Sequence, residues 1–303
     1  MLLSNTEELL LESGLSKLTV ARSIGKITSL QVKGENLLVA PLQRDLPAAL
    51  ISNARRSFQS TDAWGGDECF PTIGGSELWQ LRDHGDIWGQ TPQVFYAKEN
   101  GCLVGWQSGK TQFKRLINGR KISEQAKLLG AFSTQVTFPA NTPLAFADNS
   151  TRHDASLKAV YASHALFAAE PGDRIEWSIL TGPTDLENAL TNPGAREVLS
   201  TMIFAEDDKP IASKFYVQTD TTKIFSTSLI RKRLGLRIDV LQDSSLPWVG
   251  VWWCHNGWGD GRPHSTVGIE PTNLPSDGPV LTLKAADLKA ESTAQFFWVI
   301  SEI

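Results

Sequence analysis

The chain predicts an all-β fold of large, mostly antiparallel sheets, and two observations carry that reading. Short runs rich in β-branched and aromatic residues recur from one end to the other, most of them separated by turn residues. Helical signal is sparse, because no segment keeps an apolar period of three to four residues over several turns.

In order, the strand-like runs are 29–32, 37–39, 102–106, 132–138, 159–161, 174–180, 214–219, 236–241, 280–283 and 294–300. Between 113 and 122, Asn118-Gly119 can take the two positive φ angles of a type I′ turn, which predicts a hairpin with its lysines and arginines on solvated faces. Segments 185–190 and 195–204 are candidate short helices, the second following Pro193-Gly194. No internal repeat, low-complexity tract or proline-rich linker breaks the pattern, so residues 1–303 are expected to form one domain.

Charge is nearly balanced, with 29 Lys and Arg against 33 Asp and Glu. No whole-molecule field therefore draws in nucleic acid or anionic lipid. The first residues carry acids where a signal peptide needs basic residues, and no apolar run reaches the length of a membrane span. A cytoplasmic protein with no membrane partner is expected. Three widely spaced cysteines, Cys69, Cys102 and Cys254, read as reduced, mostly buried thiols rather than a disulfide framework.

Two stretches depart from the strand pattern. The first, Trp64-Gly-Gly-Asp-Glu-Cys-Phe-Pro-Thr-Ile-Gly-Gly75, is followed by Asp83-His84-Gly85-Asp86-Ile87-Trp88; the second runs from Trp248 to Asp260. Both read as loops that hold side chains at a site. Trp88, Trp248, Trp252, Trp253 and Trp258 lie in them, and indole faces stack on the apolar C–H faces of a pyranose. If the fold joins the stretches, they make an aromatic-walled polar pocket suited to a sugar, with Arg82, Asp83, Asp86, Trp88, Asp67, Trp253 and Asn256 as binding candidates.

Three ionisable residues are candidates for chemistry. His84 sits between a carboxylate that can hold one ring nitrogen and a glycine that permits close backbone approach; the alternative is a turn-capping histidine. His164 lies at the end of an apolar run, where a core histidine bonded to backbone is the usual finding. Glu270, in Val267-Gly-Ile-Glu-Pro271, reads equally as a buried general base and as a carboxylate paired with an arginine such as Arg262. Cys254, His255 and His264, or Asp83, His84 and Asp86, are metal-binding residue types without a diagnostic spacing, so no metal is expected.

Taken in order, these segments resemble the aldose 1-epimerase (galactose mutarotase-like) superfamily. Gly65-Gly66 with Cys69-Phe70-Pro71, Asp83-His84-Gly85, His164-Ala-Leu-Phe167 and Glu270-Pro271 are similar to the family's motifs and fall in the family's order. The resemblance implies a β-supersandwich and an aldose 1-epimerase that opens and recloses a sugar ring. It implies roles as well: Glu270 takes the anomeric proton, His164 protonates the ring oxygen and His84 stabilises the polarised oxygens. No cofactor is needed, and a homodimer is compatible with this reading.

Where the hexose-6-phosphate branch has an arginine after His-Gly, this chain has Asp86-Ile87-Trp88. An acid there repels a phosphate, so the expected partner is a free, unphosphorylated sugar or sugar derivative. Two other functions fit the same residues. One is a non-catalytic carbohydrate-binding protein on this fold. The other is a glycoside hydrolase or lyase in which Glu270 works with Asp67, Glu68, Asp83 or Asp86, which needs two carboxyl groups roughly 5 to 9.5 Å apart.

Overall fold

The computed structural model describes residues 8–41, 58, 62–108, 111–122, 127–145, 151–181, 185–191, 195–204, 209–220, 222–257, 265–282 and 290–303. The chain begins with β1 (Glu8–Ser13), β2 (Ser16–Ala21), β3 (Ile27–Val32), β4 (Glu35–Asn36), β5 (Gly66–Cys69), β6 (Val94–Lys98), β7 (Gly101–Ser108) and β8 (Thr111–Gly119). It continues through β9 (Leu128–Pro139), β10 (Asn141–Ala145), β11 (Thr151–Lys158), β12 (Ala162–Ala168), β13 (Arg174–Thr181), a short helix (Leu186–Thr191) and β14 (Ala195–Ile203). Last come β15 (Ile211–Gln218), β16 (Ile224–Arg231), β17 (Leu236–Gln242), β18 (Trp248–His255), β19 (Ser265–Thr272), β20 (Val280–Thr282) and β21 (Glu291–Glu302).

Two nine-stranded sheets and one three-stranded sheet contain these strands. The first sheet runs β1-β2-β3-β5-β12-β19-β18-β15, with β4 on β3; the second runs β14-β13-β16-β17-β21-β9-β8-β7-β6; the small one is β10-β11-β20. The two large sheets share one core, with Leu18, Val20, Phe167 and Ile269 from the first sheet meeting Phe113, Val136, Val240 and Ile300 from the second. This is the all-β, antiparallel architecture expected from the sequence. Among the described residues no helix is long and apolar enough to cross a membrane.

Three local expectations are corrected. Segment 195–204 is not helical: its residues 195–203 are β14, paired with β13 from Thr181↔Ala195 to Arg174↔Ile203, so ladder hydrogen bonds override a weak helical signal. Asn118-Gly119 makes no hairpin turn, because β8 runs through both residues, Asn118 pairing with Gly101 and Ser133, and Gly119 with Phe132. Asn100 takes the positive φ instead, +49°, between β6 and β7. Segments 37–39 and 159–161 lie outside the named strands, apolar because they are buried connections.

Beneath the first sheet a charged pair crosses the core. Arg115 of β8 reaches Glu68 of β5 at 3.1 Å, and the Tyr161 hydroxyl donates to the other carboxylate oxygen at 2.7 Å. Burial pushes the Glu68 carboxyl up to about 7, outweighing the pull of Arg115. Removing one partner of such a pair strands the other in the interior. Arg115→Met is expected to lower the unfolding free energy by about 3–5 kcal/mol, and adding Glu68→Gln should recover most of the loss. Urea melts of the single and double variants check this.

Candidate active site

Strand alternation builds the site. Neighbouring residues on a strand point to opposite faces, so one parity of the first sheet fills the core and the other faces outward. Leu166, Gly268, Trp252 and Lys214 form one row across β12, β19, β18 and β15. The next row aligns Glu270, Gly250 and Tyr216, and the same register sets His164 opposite Glu270 on one side and Asp67 on the other. Glycines flank the glutamate because its carboxylate needs their space. A Cβ on Gly268 would lie 3.0 Å from Glu270 Oε1 and 2.9 Å from the Trp252 Cβ; one on Gly250 would lie 3.4 Å from Oε2.

Segment 70–90 folds over this face and delivers His84. The histidine takes a φ of +61°, its amide donates to Ile73 at 2.7 Å, and Gly85 follows at +78°. A Cβ on Gly85 would sit 2.2 Å from the Phe70 carbonyl oxygen, so no larger residue fits there without moving the backbone. Asp83 Oδ1 lies 3.2 Å from His84 Nδ1, which fixes the ring, and Phe58 stacks on it at 3.6 Å. The His84 and His164 rings meet edge to face with centroids 4.7 Å apart. His164 Nε2 lies 3.8 Å from Glu270 Oε1. All three residues line one cavity of ≈ 190 Å³.

The electrostatics contain a partner that the sequence did not reveal. Glu270 is fully buried, yet Lys214 Nζ sits 2.7 Å from its Oε2 and 3.3 Å from Asp277 Oδ1. The Tyr216 hydroxyl donates to the same Asp277 oxygen at 2.5 Å. Burial works to lower the Lys214 ammonium, but Glu270 and Asp277 hold it above its ordinary range. His164 goes the other way: burial first, then His84 and Lys214 nearby, depress it well below the usual imidazole value. The resting cavity thus presents a neutral imidazole and a carboxylate whose Oε1 accepts no hydrogen bond.

The remaining candidates divide. Asp83 lines the cavity beside His84, whereas Arg82, Asp86, Trp88, Asp67, Asn256 and Trp253 do not. Trp88 is buried behind Phe58 and Leu166, with the Arg82 guanidinium 5.9 Å from its ring centroid. Burial raises the Asp86 carboxyl although Arg82 opposes it. Asp67 is ion-paired with Lys26. Asn256 is exposed just beyond β18. Trp253 is corrected outright: 248–255 is a strand rather than a loop, and Trp253 points into the core against Phe204 at 4.6 Å. Its neighbour Trp252, of opposite parity, lines the cavity instead.

Lys214, Asp277 and Phe58 are cavity residues that sequence reasoning missed, whereas Trp252 stood among the five tryptophans of the two stretches without being singled out. Lys214 gave the best signal, as a lone cation opening the run 214–219. Asp277, between Ser276 and Gly278, carries no comparable signal. Trp258, Asp260, Arg262 and His264 fall outside the described residues. Cys254 and His255 are strand neighbours on opposite faces, which rules them out as a common ligand pair.

No family model matches the chain, and no curated protein matches it. Solved structures do. The Slr1438 protein of Synechocystis sp. PCC 6803 superposes with a TM-score of 0.61 at 12% identity, over 98% of this chain and 96% of that one. A galactose mutarotase-like protein from Lactobacillus casei ATCC 334 gives 0.57 at 11% identity, over 97% and 99%. Galactose 1-epimerase from Lactobacillus acidophilus NCFM gives 0.51 at 12%, over 97% and 94%. At such identity the likeness is one of architecture, and it agrees with the sheets and register described above: the chain has the galactose mutarotase-like fold.

Proposed function

We propose that the protein is an aldose 1-epimerase acting on a free, uncharged sugar. One observation supports this reading above the others: Glu270, His164 and His84, drawn from distant parts of the chain, line a single cavity. In the proposed reaction Glu270 Oε1 takes the proton of the anomeric hydroxyl while the bond from C1 to the ring oxygen breaks. His164, neutral at rest, first takes a proton from solvent, and the ring oxygen then takes that proton from the imidazolium, a form that burial disfavours and therefore makes a strong acid. His84, in its imidazolium form, donates from Nδ1 to Asp83 and from Nε2 to the sugar oxygens. Rotation about C1–C2 and the reverse steps give the other anomer.

Lys214 is the positioning residue in this scheme. It holds Oε2, so Oε1 is the free basic atom. Trp252 offers an indole face to the sugar ring. Glu270, Asp277 and Asp83 outnumber Lys214 as charges around the cavity, which favours a neutral ligand over a phosphorylated one.

The Lys214–Glu270 pair also favours a second reading, sugar binding without turnover, because Lys214 already occupies one oxygen of the carboxylate that would take the proton. NMR exchange between anomers over a panel of aldoses separates the two. Saturable binding with no exchange for any sugar would end the catalytic proposal. Under the first reading Glu270→Gln is expected to lower the mutarotation rate by about 10²–10⁴-fold in a protein that keeps its far-ultraviolet circular dichroism but melts at a lower temperature, because Lys214 loses its buried partner. Lys214→Met should release the carboxylate and slow turnover by up to about 10²-fold, more in kcat than in KM.

A further inference from the structure

Cys69 has no part in the acid–base scheme, yet its side chain is fully buried on the same sheet face as His164. Its sulfur and a ring nitrogen of each of His84 and His164 lie within 4.8 Å of one another. We propose that Cys69, His84 and His164 form a binding site for a thiophilic divalent transition metal of the zinc class. This goes beyond the sugar chemistry and departs from the metal-free expectation of the sequence, which never placed these three residues together.

The donor set selects the ion. One thiolate and two imidazoles suit zinc or cobalt and disfavour magnesium and calcium, which take oxygen ligands. Metal–sulfur and metal–nitrogen bonds of about 2.3 and 2.0–2.1 Å set tetrahedral ligand atoms roughly 3.3–3.6 Å apart. Each donor here needs to move inward by less than about 1 Å to meet that geometry. Binding releases the Cys69 thiol proton to solvent and leaves both histidines neutral.

Rigid elements carry all three donors. Cys69 and His164 sit on β5 and β12, paired through Ala162↔Cys69 and His164↔Asp67, which makes them diagonal neighbours on one face. His84 is pinned by its positive φ and by Gly85 against the Phe70 backbone. Around the donors the arrangement is that of a supported metal site. Asp83 holds His84 Nδ1 at 3.2 Å and leaves Nε2 for the ion, the carboxylate–histidine–metal pattern. Glu270 Oε1 lies 3.8 Å from His164 Nε2 but outside the three-donor group, so the fourth position is open to water. A bound metal would occupy the groups that the sugar needs, so metal and sugar compete.

Cobalt reports coordination directly. Titrating the reduced, metal-stripped full chain with Co²⁺ is expected to give one equivalent of binding, a thiolate-to-cobalt charge-transfer band in the near ultraviolet and the intense visible bands of a four-coordinate ion, all displaced by Zn²⁺. Cys69→Ser should lose the charge-transfer band, and Asp83→Asn should weaken Co²⁺ binding by about 10–100-fold. Only weak six-coordinate absorption in the wild type, or an unchanged spectrum in Cys69→Ser, overturns the site. Should Cys69→Ser fail to fold, Asp83→Asn and His84→Ala decide, since unchanged cobalt affinity in either has the same consequence. Cobalt binding without anomer exchange keeps the metal site and ends the epimerase reading; exchange without cobalt binding does the opposite.

Discussion

The whole site depends on strand parity in four adjacent strands. β12, β19, β18 and β15 are antiparallel and share a register in which Leu166, Gly268, Trp252 and Lys214 stand side by side. That register sends His164, Glu270 and Lys214 out to the cavity and Phe167, Ile269 and Val251 into the core. Two glycines in the same rows then leave the glutamate room. The overlying segment has only to bring one more ring, that of His84, to a place the sheet has already fixed.

The Glu68–Arg115 and Glu270–Lys214 ion pairs lie on opposite faces of this sheet. Glu68 and Arg115 are held between the large sheets, while Glu270 and Lys214 meet on the outer face. Removing such charges from water costs several kcal/mol per ion, and mutual attraction offsets much of it only when geometry and hydrogen bonds are good. Tyr161 serves the first carboxylate and Asp277 the second ammonium, so each pair has a third member that satisfies what the first two leave over. The result is a cavity whose polar groups are aimed before any ligand arrives.

Much of this could be read in the chain, for identifiable reasons. His84, His164 and Glu270 each stood out because a titratable residue interrupted an apolar or glycine-rich context, and the structure places the three in one cavity. Trp253 misled because periodicity shows that neighbours alternate without showing which parity faces the core; that is set by pairing with strands far away in sequence. Lys214 and Asp277 were hidden because their importance lies in contacts over 56 and 61 residues, to Glu270 and Tyr216 respectively. Residues 195–204 misled for a related reason, since a strand of weak local propensity is made by its ladder with β13. The family likeness of the motifs anticipated the architecture, because it rested on residues spread along most of the chain.

β5 is only four residues long, but it faces two chemistries at once. Glu68 enters the charged link between the sheets while its neighbours Asp67 and Cys69 turn to the other side. Losing a single residue from this strand would invert the arrangement, driving a thiol against the Arg115 guanidinium and a carboxylate up among the imidazoles. The spacing of 66–69 is therefore constrained by phase: substitutions test one partnership at a time, whereas an insertion or deletion of one residue breaks both together.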